Sequence, residues 1–341
     1  MKSLDIAVRT LFAEFQEAAF ARLALEKGLY RQGTYVKKQV KGKIYWYMQR
    51  YVDGVATQKY FSPSGPKTDQ QILKIRNEQT KQRRFLRKMN QDEGRKAAML
   101  RRGGLPSLDS LSSSIISSCS EMGIIVGSHA FSAYSGMLGV LFESASLKTM
   151  DIDIACDKTI EATLVKPVDV PQLLKNCSEE FRQIPQLSHR YPPHSFIGPD
   201  GMRVDIVTPL RGKPKGSVRI KNILNAAAEP LRFLDFLICD PVRAVLIGPK
   251  GGIPVTVPDP SRFAIHKLIV SVRRSATETA KRAKDIFQAR QLMEACLHER
   301  PVELSAAYED AIGRGKNWKK AVDQGIKSLP ADLVNQLKKS F

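Results

Sequence analysis

GIIVGSHAFSAYSGMLGVLFESASLKTMDIDIACD (Gly123–Asp157), taken with RVDIV (Arg203–Val207), decides how this chain is read. An apolar strand ends in Gly127-Ser128, and a short helical run follows. A second strand carries Asp151 and Asp153, and a third carries the single Asp205 among apolar neighbours. Side chains at i and i+2 of a strand point to the same face. Asp151 and Asp153 therefore project together, while Met150, Ile152 and Ile154 turn to the core.

Carboxylates are the natural ligands of Mg²⁺, which takes oxygen donors and often holds substrate phosphates as well. Two such ions about 3.5–4 Å apart stabilise both the attacking and the leaving oxygen of an in-line displacement. Three clustered acids raise one another's pKa, so the arrangement calls for a cation, Mg²⁺ or Mn²⁺. On this reading Asp151, Asp153 and Asp205 are the metal ligands and the catalytic acids, with Asp205 acting on the acceptor hydroxyl. Gly127 permits close backbone approach to a phosphate, and Ser128 opens a helix whose N-terminus favours anions. The plain alternative is a half-exposed strand after an ordinary Gly-Ser turn. The order of the parts favours catalysis: strand, Gly-Ser, helix, Asp-Ile-Asp on a strand, then a lone Asp on another strand.

These residues resemble the signature of the polymerase-beta-type nucleotidyltransferase superfamily. GSHAFSAY with DIDIA is similar to the small bacterial stand-alone members, a branch that includes abortive-infection toxins of the AbiE type. The resemblance covers about residues 113–290. It implies an α+β fold with a mixed sheet flanked by helices, and a bound NTP (ATP or another) with Mg²⁺. It also implies transfer of a nucleotidyl group to an acceptor. Ser128 and Asp151 lie farther apart than in the most compact members, and LGVLFES (Leu138–Ser144) is expected to fill the gap as a strand or hairpin.

DPSRFAIHKLIVSVRR (Asp259–Arg274) reads as a helix start, capped by Asp259 or Ser261, with Phe263, Leu268 and Ile269 at helical spacing. Lys267 and Arg274 are two turns apart on one face. In the AbiE-like branch a lysine resembling Lys267 points at the nucleotide phosphates, and a pair resembling Lys284-Asp285 follows on the next helix. A cation there offsets charge on the leaving pyrophosphate. Equally, Lys267 and Arg274 suit a solvated face in a basic protein, and Asp285 suits pairing with Arg282 or Lys281.

The 341 residues carry a net charge of +20, unevenly placed. Residues 1–104 hold 23 Lys/Arg against 9 Asp/Glu, a balance of +14. That split predicts a basic N-terminal module over 1–104, a catalytic domain over 107–258 and a helical region over 259–341 that completes the nucleotide cleft. Within the first, Ser3–Lys27 and Thr68–Arg102 read as helices, and RRGGLPS (Arg101–Ser107) as a linker. GTYVKKQVKGKIYWYMQRYVDGVATQKYFSP (Gly33–Pro63) between them reads as a β-hairpin turning at Asp53-Gly54. Its alternation puts Tyr45 and Tyr47 on one face and Trp46 and Arg50 on the other. Basic strands with aromatics suit nucleic acid, and the hairpin loosely resembles the arm-type sheet of phage integrases.

Leu108, Leu111, Ile115, Cys119 and Met122 fall at helical steps, which predicts a helix leading into the first catalytic strand. AVLIGPKGGIPVTVPDP (Ala244–Pro260) reads as a hairpin turning at PKGG; no helix follows its glycines as a phosphate loop requires. With 43% hydrophobic residues the chain buries a substantial core, and no apolar run reaches the ~18 residues of a membrane span. The acidic residues within its amphipathic N-terminus mark a helix, not a signal peptide. Five scattered cysteines without C-x-x-C spacing indicate buried thiols in a reducing compartment, the cytoplasm. His189 and His194 fall in a Pro-rich loop and read as surface imidazoles.

The expectation is a metal-dependent nucleotidyltransferase with RNA or a tRNA end as acceptor, and toxin-like in character. Gly127 and Ser128 grip the triphosphate, assisted by Lys267 and Arg274. A protein hydroxyl comes second as acceptor and a small molecule third. The rivals are a nucleic-acid-binding protein with an inactive transferase fold, and a component regulated by an antitoxin or other protein partner.

Overall fold

The computed structural model describes residues 2–52, 55–143, 149–157, 167–185, 191–213 and 216–341. It opens with helix α1 (Ile6–Gln32), capped by the Asp5 carboxylate accepting from Ala7 N at 2.8 Å. A three-stranded antiparallel sheet follows: β1 (Thr34–Val40), β2 (Lys43–Val52) and β3 (Val55–Pro63). The expected hairpin is thus one strand larger. Lys41-Gly42, with φ of 50° and 78°, makes a second tight reversal that the reading at Asp53-Gly54 passed over. Asp53 and Gly54 themselves lie outside the described residues.

The first half of helix α2 (Pro66–Arg102) lies against one face of that sheet, with Asp69 and Arg76 reaching Trp46 and the Tyr35 carbonyl. Trp46 is buried there, its indole N–H donating to Asp69 at 2.7 Å. Lys37 and Arg76 lie 4.9 and 5.1 Å from its ring centroid. The Trp46 N–H, then the Lys37 ammonium, hold the Asp69 carboxyl well below the usual range. Tyr45, Tyr47 and Tyr60 form the opposite face, with centroids about 6 Å apart (6.0 and 5.9 Å). The Lys38 ammonium lies 5.5 Å from the Tyr47 ring.

The second half of the fold starts at α3 (Ser110–Cys119), capped by Asp109 accepting from Ser112 N at 2.8 Å. Then come β4 (Ile124–Val126), α4 (Gly127–Leu138) and β5 (Asp151–Ala155). Farther on lie β6 (Ser195–Ile197), β7 (Arg203–Pro209) and β8 (Glu229–Leu231). They make one six-stranded sheet in the order β4-β5-β7-β6-(Arg182–Gln183), with β8 alongside β7. The sheet is mixed: β5 and β8 run parallel to β7, while β4 and β6 run antiparallel to their neighbours. Of the expected insert at Leu138–Ser144, Leu138 ends α4, Val140–Leu141 pairs with Lys2–Ser3, and Ser144 lies outside the described residues.

One face of the sheet is dry. Ile152, Ile154, Val204 and Ile206 are all within 1% of full burial, and burying each such side chain contributes about 1.5–3 kcal/mol. The antiparallel hairpin β9 (Val242–Ile247) and β10 (Gly252–Val257) follows, closed by Gly248 N donating to Gly251 O at 2.8 Å. The remaining chain is helical: α5 (Pro260–Arg273), α6 (Thr279–Glu299), α7 (Pro301–Gly313), α8 (Lys316–Ile326) and α9 (Ala331–Ser340). Asp259 caps α5, accepting from Ser261 N at 2.8 Å.

Helix α1 packs against the back of this half. Phe12, Phe15 and Ala19 share a buried cluster with Val245 and Ile247, and the Phe12 ring sits where a side chain on Gly136 of α4 would be. Arg22 reaches the buried Glu93 at 2.9 Å and the Gly252 carbonyl at 2.6 Å, tying α1, α2 and β10 together. Such a pair holds position more than it adds stability. Cys119, Cys156 and Cys296 are buried as expected, but Cys239 is exposed. Among the described residues no helix is long and apolar enough to cross a membrane.

Candidate active site

The parallel register of β5 with β7 builds the site. Asp153 pairs with Asp205, and Asp151 pairs with Arg203. Paired residues of neighbouring strands share a face, so three carboxylates and one guanidinium stand together on the side away from the apolar core. Burial first, then the charges of Asp205 and Asp151, pushes the Asp153 carboxyl up to about 6; Lys267 and Arg203 oppose this. Asp205 is bridged by the Arg203 guanidinium, Nε to Oδ1 at 3.0 Å, and Arg203 also donates to Ser195 Oγ at 3.2 Å.

Gly127 starts α4 beside Asp153, because β4 runs antiparallel to β5 with Val126 opposite Asp153. Its φ is +66°, and a side chain there would meet Asp153 Oδ2 at 2.3 Å. Only glycine satisfies both the left-handed backbone and the contact. Ser128 is buried in the first turn of the helix. A cleft of about 370 Å³ opens above, with Gly127, Asp153, Phe263, Lys267 and Arg274 among its walls. Of the expected residues, Gly127, Asp153, Lys267 and Arg274 therefore surround one space. Asp151 and Asp205 share the strand face with Asp153 but do not wall that cleft, and neither does Ser128.

Lys267 and Arg274 are not on a free solvated face. Both bind Asp285 of α6, Lys267 Nζ to Oδ1 at 2.7 Å and Arg274 Nε to Oδ2 at 3.0 Å, and that carboxylate is 4% exposed. Asp285 thus pairs across to α5 and not with Arg282 or Lys281. Neighbouring Lys284 feels both centres. Burial, then Lys267, lowers its pKa, against the pull of Asp151, Asp285 and Asp153. His266, on the cleft wall, is driven down to about 3 by burial and then by Lys267, so it is neutral.

Asp285→Asn takes from Lys267 its carboxylate partner and leaves Arg274 with Glu278 alone, in a poorly solvated place. We expect it to cost about 3 kcal/mol of stability. Inorganic tripolyphosphate should restore more of the melting temperature in this variant than in the wild type. Equal responses in a thermal shift assay would remove Lys267 and Arg274 from any anion site.

The sequence reading missed Arg203. It lies two residues before Asp205, hence on the same face, a spacing visible in RVD but read only for its acid. Among the described residues no three His, Cys, Asp or Glu side chains converge as a metal-binding group. The carboxylate set still fits a hard divalent cation. Its donors are all oxygen, and a cation would offset both the burial and the neighbouring charges that raise Asp153. Arg203 occupies Asp205, so a cation there would share that carboxylate with the guanidinium.

No curated protein and no solved structure matches the chain. A family model described as nucleotidyltransferase matches residues 115–313, more than half of the chain, and spans Gly127, all three aspartates, Lys267 and Asp285. The chain belongs to this nucleotidyltransferase family.

Proposed function

We propose that the protein is a Mg²⁺- or Mn²⁺-dependent enzyme of the AbiE-like branch, moving a nucleotidyl group from an NTP to a hydroxyl on RNA. The observation that carries this reading is the in-register pairing of Asp153 with Asp205 beside Gly127. Asp151, Asp153 and Asp205 would hold the metal, which when bound supplies charge neutralisation for in-line displacement at phosphorus. Asp205, oriented by Arg203, takes the proton of the acceptor hydroxyl at its carboxylate. The acceptor oxygen bonds to the α-phosphorus, the bond to the bridging oxygen breaks, and pyrophosphate leaves. Lys267 and Arg274 offset the charge that gathers on it. The triphosphate lies over Gly127 and the first turn of α4, where backbone N–H groups face it without side-chain hindrance.

RNA is favoured by the Tyr45–Tyr47–Tyr60 face with Lys38 above it. Rings interleaved with cations stack bases and neutralise phosphates, with about 1–3 kcal/mol per stacked base. Incubation of the protein with α-phosphate-labelled NTPs, Mg²⁺ or Mn²⁺, total RNA and protein extract tests the reading. Label should appear on material destroyed by nuclease, and not with the Asp151→Ala/Asp153→Ala variant. Label removed by protease would move the acceptor to protein. No label with any NTP and either metal would leave a binding protein with an inactive fold.

A further inference from the structure

A second pocket, of about 870 Å³, adjoins the cleft, and α8 forms one side of it. The two spaces share Arg232, Phe233 and Arg273, so they meet at a boundary made of two guanidiniums and a ring. Phe233 has φ of 67°, a left-handed conformation rare for a bulky residue. It is pinned by Trp318, ring centroids 4.6 Å apart and edge to face. Strain of this kind, of order 1 kcal/mol, persists where the surroundings over-determine it, often at a functional site.

The charge on the walls is one-sided. Arg232, Arg273, Arg314, Lys316 and Lys320 face the pocket against one carboxylate, Asp235. Arg314 is held by that carboxylate at 2.6 Å and by Asp310 at 3.0 Å, so Arg232, Arg273, Lys316 and Lys320 carry the net positive charge of the walls. A space this large has room for nucleotide-sized groups, and a concentration of cations suits phosphodiesters. An acceptor end must present its hydroxyl at the aspartates while its backbone lies on a cationic bed, and the shared boundary joins two such places.

We propose that this pocket is the acceptor subsite. It holds the terminal phosphodiesters of a single-stranded RNA, whose end hydroxyl enters the cleft past Phe233. The assignment rests on the transfer reading above.

The test uses the full-length protein and the double variant Lys316→Glu/Lys320→Glu, both positions being exposed. Lys319→Glu serves as control, since Lys319 sits on the same helix outside the pocket walls. Binding of a short labelled single-stranded RNA is followed by anisotropy across a salt series. A photoreactive base at its 3′ end is then mapped by crosslinking. The double variant should bind about tenfold more weakly, and its log–log salt slope should be shallower by about 1.4, the loss of two single-strand phosphate contacts. Its KM for RNA should rise more than its KM for NTP. Lys316→Gln/Lys320→Gln should move the same way by less, and Lys319→Glu should change affinity less than twofold. The crosslink should fall on the peptides carrying Phe233 or Trp318. Transfer to RNA by the wild type, with unchanged RNA KM and slope in the double variant, would overturn the subsite and leave the transfer reading standing. A crosslink confined to the N-terminal sheet would also overturn it. Absence of transfer, with the crosslink and slope change as expected, would sink the transfer reading and keep an RNA pocket.

Discussion

Asp153→Asn is expected to lower nucleotidyl transfer by at least about 1,000-fold, about 4 kcal/mol of barrier, while making the metal-free protein more stable at pH 8. Both effects come from one cause. Asp153 is buried beside Asp205 and Asp151, and its carboxyl is pushed from 3.8 to about 6. A carboxyl with a folded pKa above its unfolded value holds its proton more tightly in the folded state. Its contribution to stability is therefore present below about pH 4 and lost as pH rises through about 6. Above that, keeping the ionised group buried costs about 3 kcal/mol. Asparagine carries no charge and escapes the cost, but offers a cation only a neutral oxygen. Melting curves in chelator at pH 8 and pH 4 should show the variant above the wild type at the first and level at the second. Added Mg²⁺ with NTP should stabilise only the wild type. A variant that keeps activity within tenfold would remove Asp153 from the reacting centre.

Gly127→Ala is expected to cost activity about 100-fold or more, and stability as well. The methyl group meets two obstacles. The backbone is left-handed at φ +66°, which costs about 1–2 kcal/mol for a residue with a side chain, and the Asp153 carboxylate stands 2.3 Å from where the methyl would be. Relief comes by turning Asp153 away or by unwinding the start of α4, and either disturbs the triphosphate bed. Ser128→Ala makes no such clash and should fold as the wild type does. The measurement is kcat/KM for NTP in both variants, with melting temperatures. If Gly127→Ala matches Ser128→Ala in both, the close approach of glycine to Asp153 has no role in turnover.

Much of this site is local and was legible in the chain. The Asp-Ile-Asp alternation dictates which side chains share a face, and the apolar partners Ile152 and Ile154 dictate which face is dry. The Asp259 cap and the spacing of Phe263, Leu268 and Ile269 mark α5 for the same reason, because helix starts and stripes are written within a few residues. The third strand of the N-terminal sheet was missed because Lys-Gly is a weaker reversal signal than Asp-Gly. The backbone at Lys41-Gly42 adopts it nonetheless, with β1 paired to β2 along its whole length, from Thr34 to Val40.

Pairings between distant segments were decided only by the tertiary structure. Nothing in RVDIV says that Asp205 stands level with Asp153 and not with Asp151; the β5–β7 register settles that, and with it the placing of Arg203 on the acidic face. Asp285 had cationic neighbours one turn away in sequence, yet its partners are on another helix, because packing α5 on α6 buries its carboxylate between Lys267 and Arg274. The basic pocket beside the cleft is assembled from Arg232, Arg273 and α8, which lie far apart in the chain. By itself the sequence determined the chemistry each segment carries, since that depends on side-chain type and short-range periodicity. Which charges meet depends on long-range packing, where burial selects one register and one set of partners from many that the sequence allows.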